Sequence, residues 1–178
     1  MKSMRWSLIV LPCLLAGCES MSVSECKVAD WGRVGYADGA AGVAQSRLAA
    51  YTEDCGKAGV VPEAHVYRQG WDTGIQRFCT AANGWREGMQ GHGGKEAVCQ
   101  GQAGFEGFAR YLDAGLKVYR TQEQLQRNSQ EAGRLEKELD AATKDEDKKR
   151  LREALRDLDR SQFRLRALLT QQQLMAPP

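Results

Sequence analysis

One eight-residue pattern occurs twice in this chain, and it limits how the backbone can pack. Gly35-Tyr36-Ala37-Asp38-Gly39-Ala40-Ala41-Gly42 reads glycine, aromatic, any, acid, glycine, any, any, glycine; Gly84-Trp85-Arg86-Glu87-Gly88-Met89-Gln90-Gly91 reads the same way. A partial copy is Gly70-Trp71-Asp72-Thr73-Gly74, and a weaker one is Gly104-Phe105-Glu106-Gly107. On a helix, positions i, i+4 and i+7 share a face. A face of glycines has no side chains, so a second helix can approach at backbone distance. Helical glycine costs about 1 kcal/mol relative to alanine, so close packing and cross-links must offset that cost. The aromatic at the second position lies off the glycine face and covers an apolar core.

The segments around the motif read as helices. Leu48, Tyr51 and Cys55 have helical spacing within 44–57, with Gly56 and Gly59 as stop signals. Pro62-Glu63 suits a helix start, followed by Val66, Gly70, Ile75, Phe78 and Cys79. Phe105, Phe108, Leu112 and Leu116 form one stripe within 101–119. Long alternating β patterns are absent.

The sequence has six cysteines. Cys13 and Cys18 belong to the N-terminal leader and its junction. The other four, Cys26, Cys55, Cys79 and Cys99, read as two disulfides in a small domain of an oxidising compartment. Cys26–Cys55 with Cys79–Cys99 staples two local helical hairpins and is favoured over the crossed pairing Cys26–Cys99 with Cys55–Cys79. A zinc site with His65 or His92 fits poorly, because structural zinc sites use close cysteine pairs and these spacings are 29, 24 and 20.

From Lys117 onward the character changes. Gly133 is the one glycine, and leucine, glutamine and charge take over. Leu125, Ala132 and Leu139 are spaced by seven, with Leu135 and Ala142 each three residues after one of them; Leu151, Leu155, Leu158, Leu165 and Leu169 form a second seam with Gln162 in one position. Thr143 and Glu146 fit a capping box between them. Two antiparallel helices are predicted, 117–142 and 145–173, the first able to extend back to Gln102. Leu174 to Pro178 reads as a frayed tail. The fold class is therefore all-α: a small disulfide-stapled, glycine-rich helical domain, 18–116, then a long coiled-coil-like antiparallel hairpin, 117–178.

Residues 1–17 have the layout of a secretory leader. Lys2 and Arg5 precede an apolar run from Trp6 to Leu15, and Ala16-Gly17 are small. That run is shorter than the ~20 residues of a spanning helix. Leu15-Ala16-Gly17-Cys18 resembles the lipobox of bacterial lipoproteins, which implies cleavage before Cys18, acylation of Cys18 and a membrane-lipid anchor. Glu19 in place of an aspartate points to the periplasmic face of the outer membrane rather than the inner membrane.

The order Cys26, Asp30-Trp31, Gly35-Tyr36, Asp38-Gly39, Tyr51, Cys55, Gly59, Tyr67, Gly70, Gly74, Phe78-Cys79, Gly84, Gly88, Cys99, Tyr111 and Gly115 resembles a bacterial lipoprotein family called domain of unknown function 2799. The resemblance spans roughly residues 18–115. It implies a lipid-anchored periplasmic protein and supplies no catalytic residues.

Without residues 1–17 the chain is formally neutral, which argues against a nucleic-acid partner. The charge is uneven: 18–116 holds 9 basic and 12 acidic side chains, 117–178 holds 14 and 11. That asymmetry suggests either two structural units that touch each other or a basic arm that meets an acidic partner. No nucleophile elbow, zinc-binding helix or phosphate loop is present, so no catalytic, cofactor or metal residues are assigned. Asp38 and Glu87 read as caps or ion-pair partners rather than paired catalytic carboxylates, and His92 lies in a Gly-rich loop. The expectation is a non-enzymatic envelope protein that binds another envelope protein. The alternative is a peptidoglycan- or glycan-binding module using Tyr36, Trp71 and Trp85 as candidate ligand-facing aromatics.

Overall fold

The computed structural model describes residues 20–178. The leader and Cys18 lie outside the described residues. Every regular element among them is helical: α1 Val23–Val28, α2 Trp31–Ala40, α3 Arg47–Gly56, α4 Ala64–Phe78, α5 Ala81–Met89, a 3-10 turn Gly93–Lys95, α6 Glu96–Cys99, α7 Phe105–Ala141 and α8 Asp145–Gln173. The chain divides into two compact units. The described part of one comprises residues 20–29 and 46–62; the other comprises 30–45 and 63–178.

The smaller unit is α1 and α3 joined by Cys26–Cys55, with a Cα–Cα distance of 5.4 Å. Ser22 and Glu25 form a reciprocal capping box on α1. The Asp54 carboxylate accepts from the Ser20 backbone N–H at 2.8 Å and from its hydroxyl at 2.7 Å. Hydrogen bonds from Lys57 and Ser20 hold Asp54 well below the usual carboxylate range.

The larger unit contains two helix pairs of the same design. In α2 against α4, a Cβ on Gly35 would lie 2.0 Å from the Tyr67 carbonyl oxygen, and one on Gly39 2.4 Å from that of Trp71. From the other side, Gly70 and Gly74 place their Cα atoms against the carbonyls of Gly32 and Tyr36. In α5 against α7, Gly84 meets the Phe108 carbonyl and Gly88 that of Leu112, while Gly115 meets that of Trp85. Positions 35, 39 and 42 thus correspond to 84, 88 and 91. Positions 67, 71, 74 and 78 correspond to 108, 112, 115 and 119.

The third glycine of each motif does not share the packing face. Gly42 has φ +62° and Gly91 φ +81°. The Val43 N–H bonds to the Asp38 carbonyl at 2.9 Å and the Gly42 N–H to that of Gly39; His92 with Glu87 and Gly91 with Gly88 repeat the arrangement. Both are left-handed glycine stops of the Schellman type. Each stop lies under a ring, Phe78 over Gly42 and Tyr119 over Gly91.

The two pairs share a core of Tyr67, Ile75, Phe78, Phe108, Leu112 and Val118. The Phe78 and Phe108 rings lie 5.4 Å apart. The Lys95 ammonium donates to the Gly42 carbonyl at 2.8 Å and lies over the Phe78 ring, so a residue of the 3-10 turn that follows α5 satisfies the end of α2. Cys79–Cys99 ties the C-cap residue of α4 to the end of α6.

Beyond the glycine contacts, α7 continues unbroken and α8 returns along it. The boundary expected at 116/117 therefore lies inside one helix. The second hairpin helix occupies 145–173, as its leucine pattern predicts. The Thr143–Glu146 box does not form. Lys144 is the N-cap and makes no side-chain cap bond, and Asp145, Glu146 and Asp147 face the positive helix end instead.

Candidate functional site

The residues singled out in the sequence fall into three settings. The four cysteines form Cys26–Cys55 and Cys79–Cys99, so none of their sulfurs is a free thiolate. Among the described residues no three His, Cys, Asp or Glu side chains converge as a metal site.

Trp71 is core. It is 6 % exposed, and its indole N–H donates to the Val43 carbonyl at 2.8 Å, which leaves no ring face for stacking on a sugar. Tyr36 and Trp85 occupy equivalent positions after Gly35 and Gly84. Tyr36 is partly exposed and Trp85 half-buried. Both serve the packing through their carbonyls, which sit against Gly74 and Gly115.

Asp38 and Glu87 are also equivalent positions, with different partners. Asp38 accepts from the Tyr67 hydroxyl at 2.8 Å. The counterpart of Tyr67 is Phe108, which has no hydroxyl, and Glu87 pairs with His92 Nδ1 at 2.8 Å instead. Each acid thus serves its own helix pair. His65 is exposed on α4.

The hairpin is the third setting. Its seam runs through Thr121, Leu125, Asn128, Ala132, Leu135 and Leu139 on α7, and Leu151, Leu155, Leu158, Ser161, Leu165 and Leu169 on α8. Asn128, Leu135 and Leu151 are buried, whereas Leu125, Leu139, Leu155, Leu158, Leu165 and Leu169 remain half-buried. The middle is polar: the Asn128 amide donates to the Ser161 hydroxyl at 3.2 Å and accepts from Gln124. A buried asparagine in a leucine seam fixes register at some cost in stability. Beside it runs a groove of about 680 Å³ lined by Ala132, Gly133 and Glu136 on one helix and Leu155, Arg156 and Asp159 on the other. A Cβ on Gly133 would meet nothing within 4 Å.

The glycine register, the two disulfides and the aromatic lids fall within or beside one stretch. Residues 30–117 match the model of a protein family described as a protein of unknown function, DUF2799. Residues 30–117 of the chain are a DUF2799 region. The match ends at the point where α7 leaves its glycine contacts, so the α7–α8 hairpin lies almost wholly outside the DUF2799 region. No curated protein and no solved structure matches the chain.

Sequence reasoning missed one group. Phe163 is 76 % exposed, and Leu168, Leu174 and Met175 are exposed with it. The available signal was that position 163 falls outside the leucine seam it interrupts.

Proposed function

We propose that this protein is a lipid-anchored component of the bacterial envelope, held through Cys18 at the periplasmic face of the outer membrane, and that its hairpin is a non-enzymatic interaction arm. The observation that carries the reading is the half-covered seam: two helices leave six leucines partly open, beside a groove of about 680 Å³. The leader and lipobox-like junction support the anchor, and the two disulfides fit an oxidising compartment. Asp38 and Glu87, engaged within separate helix pairs, support a non-enzymatic role.

Two measurements test this. Cys18→Ser abolishes acyl labelling of the protein; unchanged labelling removes the anchor. A photo-crosslinking residue at Arg156, on the groove wall, captures a discrete protein in living cells. Absence of a protein adduct there removes the arm. A glycan-binding reading retains only Tyr36 and Trp85, and muropeptide quenching of tryptophan fluorescence, lost in Trp85→Phe, would support it.

A further inference from the structure

The side of α8 facing away from α7 changes character along its length. In the first half it carries Lys149, Arg152 and Glu153, all exposed and of mixed sign. In the second half the same side carries Phe163, Ala167 and Leu174, with Leu168 and Met175 along one flank. Arg160 and Arg164 stand on that flank and Arg166 on the other. Phe163 rises from an open hollow of about 440 Å³ walled by Asp159, Arg160, Arg164 and Arg166. No acidic side chain occurs between Arg160 and Pro178, although the preceding fifteen residues carry six.

We propose that this outer face, residues 160–175, docks on an anionic phospholipid surface. An exposed aromatic centre with arginines on both sides matches a lipid interface, where rings and aliphatic chains enter the acyl boundary and guanidinium groups reach back to phosphates. The face is convex and lies on the last turns of α8 and the two residues that follow it. A flat anionic surface can engage it along its whole length, whereas an acidic protein would have to supply a groove. No helix among the described residues is long and apolar enough to cross a membrane, so the contact lies along the surface. The inference is independent of the anchor at Cys18 and of the groove on the hairpin's side.

The test uses the full chain carrying Cys18→Ser, so no acyl chain contributes. A benzophenone amino acid replaces Phe163, and the protein is irradiated with phosphatidylglycerol or phosphatidylcholine vesicles. The expected result is a lipid adduct with phosphatidylglycerol and little with phosphatidylcholine. The triple change Arg160→Glu, Arg164→Glu, Arg166→Glu leaves residues 1–19 unaltered, so their contribution cancels in the comparison. It should lower partitioning onto anionic vesicles by about 100-fold, from the strength of three basic side chains near such a surface. Circular dichroism confirms that the variant is folded, since none of the three residues lies in the seam. Equal adducts with both lipids, an adduct in cells that is protein only, or unchanged partitioning of the triple variant would each overturn the proposal.

Discussion

Along its 37 residues, α7 is held by two different packings. Near its start Gly115 brings its backbone against that of α5, with room for nothing larger than hydrogen. Farther along, leucines space α7 from α8 and Gly133 faces open volume. The same residue type is thus indispensable at one position and a liability at the other. Backbone contact tolerates no added atom, because carbonyls cannot turn aside as side chains do. A leucine seam tolerates change gradually, because half-exposed side chains repack.

The largest expected effect tests the first packing. Gly115→Ala places a methyl 2.5 Å from the Trp85 carbonyl oxygen and forces the helices apart, at a cost of about 3 kcal/mol. Urea unfolding followed by circular dichroism should show a clearly lowered midpoint; a wild-type midpoint would mean that the contact is looser than described. Next comes Leu135→Ala in the second packing. Leu135 is 7 % exposed, and its truncation should cost about 2 kcal/mol, with amide exchange rising in 125–165 while the glycine pairs stay protected. Gly133→Ala should change the sign of the effect, stabilising by about 1 kcal/mol through helix propensity. Loss of stability there would show that the groove is filled.

The smallest expected effect lies in the other unit and serves as a reference for both packings. Asp54 has a lowered pKa in the folded protein. Its contribution is therefore complete above the ordinary aspartate range and declines as pH falls toward the folded value. Asp54→Asn should lower stability slightly at neutral pH, where the contribution is complete, and flatten the profile below about pH 4, so that the two proteins converge in acid, as read by thermal melts across pH. An unaltered acid limb would mean that the Ser20 and Lys57 contacts contribute nothing.

The glycine motif made helix contact at backbone distance legible, because a run of side-chain-free positions has few other uses. It misassigned the third glycine. Spacing puts Gly42 on the same face as Gly35 and Gly39, but spacing cannot reveal that the helix ends first. The partner helices were half legible. Gly70 and Gly74 repeat the motif and do pack on α2, whereas Gly104 and Gly107 are not their counterparts on α7. That place belongs to Tyr111 and Gly115, and a lone glycine after Ala114 has no pattern to mark it. The cysteine pairing that closes two local loops is the one formed. The leucine seams located α8, since seven-residue spacing has one reading in a polar context. The polar break between the helices located the turn but not its cap, because Thr143 and Lys144 compete for one position. Trp71 and Trp85 look alike in sequence, each beside a glycine. Only packing separates the buried one from the half-buried one.

An unbroken helix is also a ruler. From Gly115 to Ala141 the backbone advances roughly 40 Å at ~1.5 Å per residue, with no hinge between the clamped end and the turn. Whatever meets the tip of the hairpin does so at a distance set by residue count. Adding seven residues to each arm would move the tip outward by about 10 Å and keep the leucines facing one another. Adding four would turn the seam away from its partner. Selection on reach would then act in steps of two helical turns, an integer constraint on a protein whose other end is held to fractions of an ångström.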